Sequence, residues 1–219
     1  MRIRSFIIAY ALVLAILLFA DRRPGTGQEN RFSRVVDLTE APDATAARSA
    51  TPGLSGTRII SPAALIPGTW SAGQIPAERL IAPLVAMDLP ASSQAAPQIT
   101  LDDIAAWESR HGMVPQGAVV ALRQTGLAAI GPGKALPITA EAAQFLLDAR
   151  YVLGFAVETS TDLTSDRTLA RRLALHGAYV VEGAAHLTVI PETGSLVIVA
   201  PAKNKTSPQA SVRLLAMVR

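Results

Sequence analysis

The sequence contains no cysteine among its 219 residues, which excludes both disulfide bonds and thiolate metal sites. Aromatic residues are also scarce, at 5% of the chain, whereas half of all residues are hydrophobic. That balance is typical of a globular protein and not of a disordered one. The core must therefore hold the fold by packing alone, and the chain is long enough for one substantial domain.

A basic stripe is missing as well, although the sequence pI is about 9.7. Four of the 20 basic residues and one of the 17 acidic residues lie in residues 1–23, which leaves 16 of each in the rest of the chain. Nucleic-acid-binding proteins usually carry a basic patch on their folded part. The charge pattern therefore excludes a nucleic-acid partner.

The longest hydrophobic run is Phe6–Ala20, which is preceded by two arginines. As a helix it would span roughly 23 Å, short of a hydrocarbon core of about 30 Å, and this length suits an export signal. Cleavage after Ala20 would place Leu18 where a small residue is preferred, so retention as an anchor stays open. We expect residues 1–23 to be a signal peptide or membrane anchor. The protein is then exported or periplasmic, with inner-membrane attachment through residues 6–20 as the alternative.

Strand and helix patterns alternate after a linker at residues 24–33, and they predict a single mixed α/β (α+β) domain over residues 34–219. Thr100 with Asp103 predicts a capped helix that stops near Gly112, and Thr139 caps a second helix. A third is expected from Asp166 to His176. Strand patterns occur at 34–39, 84–89, 119–122, 153–157, 178–182, 195–200 and 212–218.

The stretch Gly56–Leu65 reads as a strand that runs into a proline turn. It resembles the metal-binding signature of the cyclase family, H-x-G-T-H-x-D-x-P-x-H, whose best-known members are kynurenine formamidases. Gly56, Thr57 and Pro62 keep the frame of that signature. Its four reactive positions are occupied by Leu54, Arg58, Ile60 and Ala64.

Further pieces of the chain resemble the family in the same order, including Gln74-Ile75-Pro76, 99–103, 114–117, 177–183 and 201–213. The resemblance implies a compact domain of strands and helices around a central β-structure. It also implies a homo-oligomer, dimeric or larger. Enzymes of the family bind a divalent metal such as zinc or manganese and hydrolyse an amide or ring amide, as in deformylation of N-formylkynurenine.

The residues that the resemblance implies for metal binding are largely replaced. A catalytic zinc needs about three His, Asp, Glu or Cys ligands. Leucine, isoleucine and alanine have no donor atom, and Arg58 stays protonated at any physiological pH. The family's later histidine falls on Ala170, and only Glu182 keeps a family site residue. We therefore expect no cofactor, no metal site and no catalytic residue of the family type.

Two function hypotheses remain. In the first, the protein is a catalytically inactive, exported cyclase homologue with a binding or scaffold role. In the second, it is an active metal-dependent amidohydrolase of the arylformamidase type, with a site rebuilt from Glu182, His186 and other residues. The candidate ligand-binding residues are Arg58, Glu182 and Trp70.

The resemblance also places Arg58 and Glu182 in one site, where an unpaired buried carboxylate would be costly. Arginine grips a carboxylate through a planar fork, so we predict an Arg58–Glu182 ion pair in the emptied metal site. In the alternative, Arg58 faces an open pocket and binds an anionic ligand. Other polar candidates are given ordinary roles: surface positions at helix ends for His111 and His176, and solvated or turn-capping carboxylates for Glu158 and Asp162.

Overall fold

The computed structural model describes residues 32–41, 56–90, 97–125 and 132–219. Arg34–Arg219 forms one compact unit. The apolar run Phe6–Ala20 and Leu54 lie outside the described residues, so the expectations for them stay predictions. Within the described ranges, no helix has the length and apolar character needed to span a membrane.

A single sheet of eight strands forms the centre of the fold, in the order β1-β8-β2-β6-β5-β4-β3-β7. Pairing of β8 with β7 closes strands β2 to β8 into a seven-stranded barrel. Strand β1 pairs with the last residues of β8, 215–218. The strands are β1 Arg34–Asp37, β2 Arg58–Ile60, β3 Ile81–Asp88, β4 Val119–Arg123, β5 Gly154–Val157, β6 Tyr179–Glu182, β7 Ser195–Pro201 and β8 Gln209–Val218.

The parallel half of the barrel consists of β3, β4, β5 and β6. Parallel neighbours need a crossover connection, and a helix supplies each one. These helices are α1 Leu101–His111, α2 Ala140–Ala149 and α3 Arg167–Leu175. Because the four strands run the same way, their carboxyl ends lie at one end of the barrel. Glu182 is the last residue of β6 and lies there.

Two hydrophobic cores follow from the alternation of side chains along each strand. In β3, Leu84 and Ala86 point into the barrel, where they pack with residues of β7 and β8 such as Val197. Val85 and Met87 point outward and pack against the helices. The helices therefore cover the outer surface of the parallel half of the barrel.

The structure confirms the mixed α/β domain and the helix starts expected from the sequence. Thr100 Oγ1 accepts a hydrogen bond from Asp103 N, and Asp103 Oδ2 accepts one from Thr100 N at 2.9 Å. Thr139 and Asp166 cap α2 and α3 through their side chains. A single 3-10 turn, Ala77–Arg79, precedes β3. Closure of the sheet into a barrel was not expected.

Candidate functional site

Arg58 and Glu182 lie opposite each other in the antiparallel pair of β2 and β6. Arg58 Nη2 is 2.5 Å from Glu182 Oε2, and the two side chains are 15% and 2% exposed. The ion pair predicted from the sequence is therefore confirmed. Directly opposed residues of an antiparallel pair point to the same face of the sheet, which explains the contact.

The second oxygen of Glu182 is held by Thr161, in the loop after β5. Glu182 Oε1 accepts hydrogen bonds from Thr161 N at 2.8 Å and from Thr161 Oγ1 at 2.6 Å. Each carboxylate oxygen thus has a positively charged or hydrogen-bonding partner. A buried carboxylate is tolerated under these conditions, because its lost hydration is replaced.

The preserved Gly56-Thr57 dipeptide holds the backbone next to this ion pair. Thr57 is buried; its Oγ1 accepts from Glu40 N at 2.6 Å and donates to Gly183 O at 2.6 Å. Gly183 has a φ of 66°, and a Cβ added there would lie 2.8 Å from the carbonyl oxygen of Gly56. These residues therefore have a structural role that does not depend on metal chemistry.

A pocket of roughly 140 Å³ opens beside the ion pair. Pro62 begins a 3-10 turn, Pro62–Ala64, which directs the chain after β2 along the pocket wall. The lining residues are Arg58, Ile60, Ala64, Leu65, Thr161, Asp162, Leu163, Thr164, Glu182 and Gln209. Three positions at which the resemblance implies metal ligands, together with Glu182, thus line one pocket. We call it the Arg58–Glu182 pocket.

Ala170, the position of the family's later histidine, lies outside this pocket wall. It is in α3, which packs against the Pro62–Ala64 turn. Leu54 is outside the described residues. Sequence reasoning missed Thr161 and Gln209, which reach the pocket from a loop and from β8. Neither residue belongs to a recognisable motif, so only the fold reveals their place.

Residues 23–162 match the family model Cyclase, described as "Putative cyclase". This chain belongs to the cyclase family. The match covers well over half of the sequence and includes Arg58, Ile60 and Ala64, but it ends before Glu182. Glu182 is therefore placed in the site by its ion pair with Arg58 and by its position at the end of β6.

Several solved structures share the fold. Isatin hydrolase A from Labrenzia aggregata, bound to benzyl benzoate, is 26% identical with a TM-score of 0.66, over 84% of this chain and 93% of that chain. Isatin hydrolase A from Ralstonia solanacearum is 25% identical with a TM-score of 0.64, over 85% and 81%. A potential metal-dependent hydrolase with cyclase activity, 20% identical at a TM-score of 0.61, supports the fold alone. A comparison with curated protein sequences gives no match.

The residues of the Arg58–Glu182 pocket do not fit the divalent metal that the cyclase family implies. Ile60 and Ala64 carry no donor atom, and Arg58 places a cation 2.5 Å from the carboxylate that would be a ligand. A metal ion would have to displace that guanidinium and would then find two carboxylates, Glu182 and Asp162, where about three ligands are needed. Asp162 Oδ1 is also already engaged by Thr164 N and Oγ1. Across residues 32–41, 56–90, 97–125 and 132–219, no three His, Asp or Glu side chains form a group suited to a metal ion.

Trp70 lines a different pocket, so the three candidate ligand-binding residues do not share one site. This second pocket has a volume of about 250 Å³ and is lined by Pro62, Gly68, Thr69, Trp70, Ala174, Leu175, His176 and Gly177. The Arg79 guanidinium carbon lies 5.5 Å from the centre of the Trp70 ring. No sequence motif indicates this separation, because it depends on the packing of α3 beside the Pro62–Ala64 turn.

The three histidines lie apart from the Arg58–Glu182 pocket. His111 is at a helix end, as expected, but its ring is largely buried and Nε2 is 2.6 Å from Glu192 Oε2, so its placement on the open surface was wrong. His176 Nε2 lies 3.0 Å from Asp148 Oδ1 at the end of α3. His186 is exposed and does not line the pocket that contains Glu182. Its proposed approach to Glu182 is therefore not seen.

The two loop carboxylates differ from each other. Asp162 caps a turn, as expected, since its Oδ1 accepts from Thr164 N and Oγ1, and these bonds lower the pKa of its carboxyl group. Glu158 is half-buried rather than solvated, and burial raises the pKa of its carboxyl group. Gln124 N donates to Glu158 Oε2 at 3.2 Å and opposes that shift. Neither group provides a metal ligand set.

We expect Arg58→Ala to lower the free energy of unfolding by about 3–5 kcal/mol, because it leaves the carboxylate of Glu182 buried without its counter-charge. Urea denaturation of the purified protein measures this loss. Arg213→Ala is the matched control, since its ion pair with Asp37 is 63% and 46% exposed and its loss should leave the free energy of unfolding close to that of the parent.

The double variant Arg58→Met, Glu182→Gln removes both charges together. It should be less destabilised than Arg58→Ala, because no uncompensated charge stays in the site. An Arg58→Ala protein as stable as the parent would contradict a buried, stabilising pair.

Proposed function

We propose that this protein is a cyclase-family member that binds a small molecule in the Arg58–Glu182 pocket without hydrolysing it. The observation that supports this proposal most directly is the 2.5 Å contact between Arg58 Nη2 and Glu182 Oε2. Metal-dependent hydrolysis relies on a metal-bound water as nucleophile. A guanidinium supplies a fixed positive charge and hydrogen-bond donors, but it cannot coordinate and activate that water.

The binding part of the proposal rests on the composition of the pocket wall. Apolar side chains from Ile60, Leu65 and Leu163 are combined there with polar groups from Thr164 and Gln209. Six of the ten lining residues are polar or charged, so the pocket suits a small polar molecule better than a mainly apolar one. Because the charges of Arg58 and Glu182 compensate each other, we expect a ligand that makes hydrogen bonds and apolar contacts.

The second candidate is an active amide hydrolase, and the likeness to isatin hydrolase A over 84% of this chain favours it. This candidate requires that residues other than those of the signature coordinate the metal ion. It is the direct alternative to a binding role, because the two differ in metal content and in turnover.

The full chain, purified without chelators, is expected to contain no stoichiometric zinc or manganese and not to hydrolyse isatin after addition of either metal. Metal content is measured by plasma mass spectrometry and hydrolysis by the absorbance of isatin. Isatin hydrolase A from Ralstonia solanacearum is the positive control. Stoichiometric metal that is lost in Glu182→Gln, together with turnover, would establish the hydrolase instead.

A variant that restores the family signature tests why the parent is expected to bind no metal. It retains Glu182 and combines five substitutions: Leu54→His, Arg58→His, Ile60→Asp, Ala64→His and Ala170→His. If the replaced side chains alone prevent metal binding, this variant should bind zinc where the parent does not. Failure to bind in a folded variant would show that the backbone of the site has diverged too.

Ligand binding is tested separately with isatin and its ring-opened hydrolysis product. A compound present at about 100 times its Kd should stabilise the folded protein by about 2.7 kcal/mol and raise Tm accordingly. Ala64→Leu narrows the pocket and should abolish that rise, whereas Met113→Leu, at a residue that is 74% exposed, should leave it unchanged. A rise in Tm that persists in a folded Ala64→Leu protein would place the ligand elsewhere.

We also propose that the Phe6–Ala20 run directs export or anchors the protein at the inner membrane. Its length and flanking arginines support this proposal. Fractionation of cells that express the full chain should recover the protein from the periplasm or the membrane. A chain with Leu12→Asp and Leu14→Asp should stay in the cytoplasm, and parent protein found there at full length would contradict export.

A further inference from the structure

One buried acceptor in the wall of the Arg58–Glu182 pocket lacks a hydrogen-bond donor. Gln209 Oε1 is buried, and no group of the described residues donates a hydrogen bond to it. Gln209 lies opposite Ile60 in the antiparallel pair of β2 and β8, and directly opposed residues share a face of the sheet. The amide therefore lies beside one of the replaced positions of the signature. Because an unpaired buried acceptor costs free energy, a ligand that supplies the donor is favoured there.

The hydroxyl protons of the pocket wall are already used by its carboxylates. Thr161 Oγ1 donates to Glu182 Oε1 at 2.6 Å, and Thr164 Oγ1 donates to Asp162 Oδ1 at 2.6 Å. A threonine hydroxyl has one proton and two lone pairs, so both oxygens can still accept a hydrogen bond. A carboxylate has about four lone-pair sites on two oxygens, so Asp162 can also accept more bonds. The wall therefore offers mainly acceptors to a ligand.

The charged side chains of the pocket carry an excess of negative charge. Among the described residues that line it, Arg58 is cationic, whereas Glu182 and Asp162 are anionic. Arg58 and Glu182 compensate each other across their 2.5 Å contact. The hydrogen bonds from Thr164 lower the pKa of Asp162, so its carboxylate is charged at neutral pH. The remaining negative charge attracts a cation and repels a carboxylate.

The volume of the pocket limits the group that can enter it. At roughly 140 Å³ it is smaller than the pockets of drug-sized ligands, which begin at about 300 Å³. A compact, planar group with several N–H donors suits this space, because it can reach acceptors in more than one direction. A guanidinium group has five such donors in one plane. Ile60 and Leu163 provide apolar surface for the carbon atoms attached to such a group.

We propose that the Arg58–Glu182 pocket binds a small organic cation of the amidinium or guanidinium type, with one N–H group donating to Gln209 Oε1. This inference rests on the proposed binding role of the same pocket and adds the chemical class of its ligand. Gln209 is half-buried as a whole residue, so rotation of its side chain can turn the amide toward the ligand. The hydroxyls of Thr161 and Thr164 and the carboxylate of Asp162 accept hydrogen bonds from the other N–H groups.

Benzamidine, benzamide and benzoate test the proposal, because they share one shape and differ in charge and in N–H donors. Isothermal titration calorimetry of the full chain, without added metal, should show the tightest binding for benzamidine and the weakest for benzoate. Gln209→Met removes the amide oxygen and should weaken benzamidine binding at least about 10-fold. Gln209→Glu keeps an acceptor and should bind benzamidine at least as tightly as the parent. Gln116→Met, at an exposed glutamine outside the pocket, is the matched control and should bind like the parent.

Benzamide or benzoate that binds as tightly as benzamidine would overturn the proposal, since benzoate binding would make Arg58 an anion-binding residue. So would a Gln209→Met protein with unchanged affinity for benzamidine and the circular dichroism spectrum of the parent. Absence of benzamidine binding to the folded parent at millimolar concentration would overturn it as well. Turnover of isatin with an added metal would instead contradict the proposed binding role, and it would leave the metal-free ranking of the three compounds unchanged.

Discussion

The buried carboxylate of Glu182 is the constraint on which the site depends. It ends a central strand of the barrel and is almost fully excluded from water, so its charge must be compensated locally. Arg58 from β2 and Thr161 from the loop after β5 provide that compensation. Three segments that are distant in sequence are thereby fixed at one end of the barrel. Removing Arg58 or Thr161 would therefore break a contact between these segments and also leave the buried charge of Glu182 less well compensated.

The preserved and the replaced positions of the signature separate by physical role. Gly56 has a φ of 79°, a conformation that favours glycine, and the Thr57 hydroxyl donates a hydrogen bond to the Gly183 carbonyl. Positions such as Ile60 and Ala64 only border the pocket, so apolar side chains are accommodated there. The backbone conformation of the site therefore does not depend on whether its side chains could bind a metal ion. This explains how a family fold persists with a donor set that does not suit a metal ion.

Local signals in the sequence were sufficient for the helices and most strands, whereas the Arg58–Glu182 pair was predicted from the resemblance to the cyclase family. Thr100 with Asp103 and Thr139 start their helices by side-chain capping, which depends on residues three apart or closer. Barrel closure could not be read in the same way, because β8 pairs with strands on both sides that lie far away in the chain. Packing between segments that are distant in sequence also places Trp70 outside the Arg58–Glu182 pocket and brings His111 into contact with Glu192.

Strand β8 connects the pocket to the antiparallel half of the barrel. Its first residue, Gln209, lines the Arg58–Glu182 pocket, and its later residues pair with β1 and β7. Because β8 is hydrogen-bonded along both edges, the position of Gln209 depends on strands that lie far from it in the sequence. The antiparallel half of the barrel therefore supports one wall of the pocket, whereas the helices pack on the parallel half.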